Sequence, residues 1–395
     1  MKNKWIVLIF LIGLTGFSVF LFANCGQISS SPNPPSTGVK GWQIIGNAGI
    51  SATGEVEIRF GTTVGATLIS LFVYHGTPYV AYPDLADLRK ATVMRFSGSS
   101  WESVGAPGFS PDRVDYLSLA IYNGTPYVAF QDYQVYGSGK AERLLFVTVM
   151  KYNGSDWEYV GEPAFSADGA ANIQLFIDNG TPYVAYLDRA NSNKATVMKF
   201  NGTSWEAVGS PGFSSDAVDN ISLFVYSGTS YIAYNSYAYG KVTVMKFNGL
   251  DWEGVGQPVD NVIFTPPSLS VYNGTPYLAY TDQTSSASII KFNGSTWESI
   301  GSPSFAQTDR PTLQVYNGIP YIAFQETGLT LSKDRVSAMK FNGSDWEYVG
   351  KQGFSSNAAS DTFNNISFFI DLGVPFVAYA DKDNGNKITV MKYIE

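Results

Sequence analysis

The sequence predicts an all-β protein, a seven-bladed β-propeller of four-stranded antiparallel blades. Three observations predict it. The 395 residues include 39 Gly, 25 Tyr and 26 Phe but only 15% charged residues, a composition of strands and turns with few helix-forming stretches. One segment recurs along the chain, as "NGTPYVAYLD" from Asn179, "NGTPYVAFQD" from Asn123 and "NGTPYLAYTD" from Asn273. The chain also opens on an isolated tryptophan segment, "GWQIIG", and closes on "VMKYIE", a unit end without one.

The N-terminus is read apart from the repeats. "MKNK" precedes Trp5 to Phe22, an uncharged apolar run of 18 residues, and "LFANCGQ" follows with the only cysteine, Cys25. This stretch resembles a bacterial lipoprotein signal, which implies cleavage after residue 24 and a diacylglycerol on Cys25. The alternative is an uncleaved membrane anchor, since the run is long enough to span a bilayer. Residues 1–24 are thus a signal peptide, 25–40 a Pro/Ser-rich tether and 41–395 the propeller. Both readings put the propeller outside the cytoplasm on a bacterial membrane, at the cell surface or in the periplasm. With one cysteine, no disulfide can form within the chain.

Three landmarks set the blade count. The turn glycine of the quoted segment falls at Gly76, Gly124, Gly180, Gly228, Gly274, Gly318 and Gly373. A "VMKF"-like run centres on Met94, Met150, Met198, Met245, Ile290, Met339 and Met391. "WExVG"-like segments start at Trp101, Trp157, Trp205, Trp252, Trp297 and Trp346, and Trp42 makes the seventh. In the third unit the strands read "NIQLFID", "PYVAYLD", "ATVMKFN" and "SWEAVG", here a to d. Because the last unit lacks a Trp strand, the strand around Trp42 is expected to complete it and close the ring.

The turn chemistry gives the pairing. "NG" or "SG" dipeptides link a to b and c to d, the signal of a two-residue type I′ hairpin. Pro182 and its counterparts sit at the start of strand b, where a missing N–H is tolerated. A two-residue c–d turn sets Met198 opposite Trp205, a sulfur–aromatic contact, with Lys199 and Glu206 as diagonal neighbours and Lys392 paired with Gln43. These cation–acid rows are expected to be exposed ion pairs, and the tryptophans blade-to-blade packing more than sugar platforms. In order and spacing the strands resemble the Kelch-type propeller repeat and repeats of bacterial surface lipoproteins. That resemblance implies the fold; the Kelch glycine doublet ending strand b is replaced by "VAYLD", so family membership is not carried over.

Loop lengths then separate two faces. From landmark Met or Ile to Trp the spacing is 7 in all six measurable units, and from turn Gly to the end of strand b it is 8 in all seven. The b–c spacing to the landmark runs from 8 to 18, and from Trp to the next turn Gly from 21 to 34. One face is uniform and the other holds the variation, which marks the latter as the binding face. Strand b ends there in Asp84, Asp132, Asp188, Asp282, Glu326 and Asp381, with Ser236 breaking the ring. Tyr133, Tyr136, Tyr237 and Tyr239 flank the longest loops, and the d–a loops add Asp112, Asp115, Asp168, Asp216, Asp219, Asp309 and Asp361; the alternative for any one Asp is that it simply caps a strand end or turn.

These residues predict a membrane-tethered binding or scaffold protein that presents an acidic face to a protein or glycan partner. The alternative is a glycan-cleaving enzyme using carboxylates on that face. A net charge of −8 without a basic cluster argues against nucleic acid, and one His and one Cys remove most metal and nucleophile arrangements. No cofactor, metal or catalytic residue is expected, and the chain is expected to be a monomer. His75 fills the Asn place of an a–b turn. "DKDNGNK" from Asp381 resembles a calcium loop, but its glycine comes one place early for an EF-hand, so a hairpin loop is the expectation.

Overall fold

The computed structural model describes residues 40–51, 69–136, 142–236, 240–263, 265–308, 310–326, 335–356, 358 and 366–395. The signal-like segment, the tether, Cys25, Tyr237, Asp309, Asp361 and the side chain of Tyr136 lie outside the described residues. The remainder forms seven antiparallel sheets, each ordered a, b, c, d. In blade 3 these are Ala170–Asp178, Thr181–Asp188, Lys194–Phe200 and Trp205–Ala207. Blade 5 adds a two-residue strand, Ala306–Gln307, against the loop end of its strand c. Strand b sits mid-sheet with its faces covered, so Val184, Ala185 and their counterparts are fully buried.

The ring closes as the permuted repeat requires. Gly41–Ile44 pairs with Lys387–Ile394, setting Trp42 opposite Tyr393 and Gln43 opposite Lys392. The a–b turns are type I′, with both central residues in the left-handed region, as at Asn179 (φ 48°) and Gly180 (φ 82°). His75 (φ 49°) and Leu372 (φ 50°) hold that same strained position without a residue suited to it.

The c–d link differs from its expectation. Phe200 lies opposite Trp205 and Met198 opposite Ala207, so four residues, not two, make the turn. The Asn201 side chain is the reason. Its Oδ1 accepts from the Thr203 and Ser204 amides, both at 2.9 Å, closing an Asx loop that a two-residue turn could not contain. The expected Met–Trp pairing is therefore absent from the register, and Lys199 faces Glu206 directly, 3.2 Å apart with both ends exposed.

Tryptophan joins each blade to the one before it. The Trp205 indole donates to the Val160 carbonyl at 2.7 Å, and the same bond recurs at all seven positions, Trp42 to Val349 and Trp101 to Ile45 included. Five of the indoles also stack on a phenylalanine of the preceding d–a connection, as Trp205 does on Phe165 with centroids 4.4 Å apart. The "VG" glycine makes room for this seam. A Cβ on Gly161 would stand 2.9 Å from the Phe200 ring and 3.1 Å from the Trp205 ring.

Candidate binding site at the channel mouth

The acids that end strand b are placed first, because the sequence singled them out. Asp84, Asp132, Asp188, Glu326 and Asp381 are buried and Asp282 is half-buried. Each holds its own loops. The Asp188 carboxylate accepts from the Thr196 hydroxyl (2.8 Å) and the Asn191 amide (2.9 Å), while Thr196 Oγ1 accepts from the Gly212 amide of the d–a connection (2.8 Å). The same relay from acid to hydroxyl to loop amide runs through Thr148, Ser288, Ser337 and Thr389. Asp84 caps the short helix Leu85–Asp87 by accepting from the Ala86 amide. Asp381 accepts from Ser356, Asn384 and Thr389, which makes "DKDNGNK" a hairpin loop around a 3-10 turn. The expectation that these acids present a solvent-facing acidic rim is thus corrected: a carboxylate in this place serves as the anchor of two loops. Alternation in strand b could not reveal that, because the Thr partner lies on strand c and the amide on a third segment.

What distinguishes one part of the variable face is the height of its inner wall. Strand a has nine residues in blades 2, 3 and 4 (Val114–Tyr122, Ala170–Asp178, Val218–Tyr226) but five in blades 5 and 6 (Ser268–Tyr272, Thr312–Tyr316). The cause is legible: Pro266 and Pro267 directly precede the one, Pro311 the other, and proline ends a ladder. Each tall strand carries a bulge near its upper end, between Asp115 and Ser118, Ala171 and Gln174, and Val218 and Asn220. Tyr116 (φ 45°) and Asn172 (φ 55°) take the left-handed backbone there, a costly conformation for a tyrosine. Amide side chains tie the wall together. Gln131 donates to the Ala170 carbonyl, Asn172 to the Asp219 carbonyl, and Asn235 to the Thr265 carbonyl at 3.2 Å.

The bulges gather ionisable groups that are far apart in sequence. Asp115 accepts from Arg89 at 2.6 Å and from the Tyr133 hydroxyl, and the Arg113 guanidinium lies 3.9 Å above the Tyr133 ring. Burial pushes the Tyr133 hydroxyl pKa up, and its bond to Asp115 adds to the rise. Burial likewise raises the Tyr116 hydroxyl, with the Asp115 and Asp219 carboxylates nearby reinforcing it and Arg189 opposing. Asp219 sits above the usual carboxylate range because burial outweighs the pull of Arg310 and the Asn220 amide. Of the residues expected on the face, Tyr133, Asp115 and Asp219 join this cluster. Tyr116, Asn172, Arg89, Arg113, Arg189 and Arg310 were not anticipated, because arginines scattered in sequence give no sign of convergence until the strands are closed into a ring.

Beneath the mouth lies a cavity of about 440 Å³ lined by all seven inner strands, with Asn172 and Arg310 among its upper residues. Serines along its wall join blades: Ser70, Ser118, Ser222, Ser268 and Ser367 each accept from a leucine amide of the next blade at 2.9–3.0 Å. No protein-family model matches the chain, and no curated protein matches it. Among solved structures it is similar to a triple mutant of AofleA from Arthrobotrys oligospora (14% identity, TM-score 0.48, covering 75% of this chain and 92% of that one). It is also similar to the Aleuria aurantia lectin in complex with α-methyl-L-fucoside (13%, 0.47, 74% and 96%). The Trypanosoma rangeli sialidase in complex with sialic acid is a third (10%, 0.45, 91% of this chain and 59% of that one). Likeness this remote carries no ligand over to the present chain.

Proposed function

We propose that the chain is a binding module, held outside the cytoplasm by its N-terminal segment, whose partner docks on the variable face at the channel mouth beside blades 2 to 4. The single observation that carries this reading is the bulged wall: three consecutive inner strands extend and bend where four arginines, two acids and two tyrosines form one network, of which Arg310 lines the cavity. Guanidinium, carboxylate and phenol together suit the hydroxyls of a glycan or the polar groups of an exposed peptide. The Kelch-like strand order and the lipoprotein-like leader are consistent with a monomeric surface protein of this kind.

A screen of glycans and surface proteins against purified residues 40–395, a span that contains the whole closed ring, tests the reading. A partner bound by the wild-type chain should be lost, by at least about tenfold, from an Asp115→Asn/Arg310→Ala double variant. A partner held equally by both removes the mouth from consideration. One observation favours a second reading. Asp115 is ion-paired while Asp219 is raised by burial, and two carboxylates in unequal environments are what glycan cleavage requires. Release of reducing sugar from a bound glycan, abolished by Asp219→Asn, would promote the enzyme.

A further inference from the structure

Deeper in the channel the chemistry changes from polar to aromatic. One layer of the wall is set by the residue of strand a that pairs with the first aromatic of strand b. It is phenylalanine in four blades: Phe72 opposite Tyr79, Phe176 opposite Tyr183, Phe224 opposite Tyr231 and Phe369 opposite Phe376. The four rings form two touching pairs, Phe72 with Phe369 at 4.4 Å and Phe176 with Phe224 at 4.7 Å. Blades 7 and 1 hold one pair and blades 3 and 4 the other, so the pairs face each other across the channel. Between them stand Ala120 of blade 2 on one flank and Ser270 of blade 5 and Gln314 of blade 6 on the other, Gln314 being the one of these two that lines the cavity. All four phenyl rings line the cavity and are only partly buried, whereas most large apolar side chains at the blade centres are fully enclosed. Each ring packs on the core with one side and leaves the other facing the open channel, forgoing part of the burial that stabilises the rest of the molecule, a pattern that marks a receiving surface.

We propose that this throat receives an aromatic ring carrying a hydrogen-bonding substituent, a phenol above all, which slides between the two phenylalanine pairs with its polar group directed to the Gln314 flank. Phenyl rings tilted by 40° and 47° within their pairs offer both faces and edges to a planar guest. Ala120 leaves the opposite flank without bulk, so the guest lies across the axis. This deepens the mouth reading, because such a ring enters under Asn172 and Arg310. The ring comes from a free small phenol or from a tyrosine side chain of a partner peptide; the chemistry of the throat is the same for both.

Titration calorimetry on the full chain distinguishes the sources. The probes are p-cresol, N-acetyltyrosinamide, a tyrosine-centred hexapeptide and the same peptide with alanine in place of tyrosine. Saturable binding of p-cresol identifies a small-molecule guest; binding of the tyrosine peptide without p-cresol identifies a peptide. Either result, lost by at least about tenfold in Gln314→Trp, which fills the throat from a half-exposed position, supports the proposal. A Phe176→Leu/Phe224→Leu variant keeps apolar volume while removing two rings, so it tests the same point should the tryptophan variant fail to fold. It is expected to weaken the aromatic probes several-fold while leaving cyclohexylmethanol unchanged. Absence of binding by every aromatic probe, or binding unaffected in both variants, overturns the inference. The mouth reading is tested separately: it falls if a partner found by screening is held equally by wild type and Asp115→Asn/Arg310→Ala, whereas p-cresol binding should survive Asp115→Asn, which lies outside the throat lining.

Discussion

Blades 2 to 4 and blades 5 and 6 are built from the same repeat, yet they end differently at the variable face. In the first group strand a runs nine residues and bulges; in the second it stops at five, behind prolines. Away from the mouth the two groups are interchangeable: the same indole-to-carbonyl bond and the same glycine under the indole. Such a contrast separates what the repeat needs in order to fold from what one sector has added. The seam holds stability and is uniform, while the wall holds strain and groups that the other blades do not repeat, the usual division between scaffold and site.

The largest effect should come from breaking the uniform part. Deleting residues 41–46 removes strand d of blade 7 and with it the Trp42 bond to Val349, so calorimetry should find the cooperative transition abolished or lowered by well over about 10 °C. An undisturbed transition would mean the ring does not need its closing strand. Next in size, Trp205→Ala and Trp346→Ala should each cost about 3–5 kcal/mol in urea unfolding, with similar values in the two blade groups. A marked inequality would show that the seam itself is graded.

The acids sharpen the comparison, since two kinds should respond with opposite sign. Asp188→Ala leaves the buried Thr196 hydroxyl and the Asn191 side-chain amide without their acceptor, and should cost about 1–3 kcal/mol. Asp219 differs because its pKa is raised by burial. A raised folded-state pKa means that the stability tied to the protonated form is present below the ordinary carboxylate range and is lost as pH rises through the raised value. Asp219→Asn should therefore melt above the wild type at pH 7 and converge with it on acidification. A variant less stable at pH 7 would show that the Arg310 attraction outweighs desolvation. The smallest effects lie on the uniform face. Leu372→Asn should relieve the left-handed turn by about 1 kcal/mol, whereas Lys199→Ala should move stability by less than about 0.5 kcal/mol.

Much of the fold was legible because the repeat states it seven times. Strand order, blade number, the type I′ a–b turns and the borrowed outer strand all follow from spacing. The c–d register was not, since "NG" signals a turn without telling whether its Asn side chain will cap two amides and lengthen the loop. The site was less legible still. Strand-end acids stand out by repetition, and repetition is a mark of structure: each anchors loops inside its blade. The groups that distinguish one sector are the unrepeated ones, such as Tyr116, Asn172 and Arg310. Their one sequence signal is the contrast between proline-stopped inner strands and those that run on past the expected length.

Hydrogen exchange of the whole chain with and without a bound partner decides between the two faces. Protection should gather on residues 113–118, 170–174, 218–221 and 310–314, along the tall wall and across the mouth. Protection confined to the a–b turns, around Asn123–Gly124 and Asn179–Gly180, would contradict it, because the partner would then be using the face that every blade makes alike.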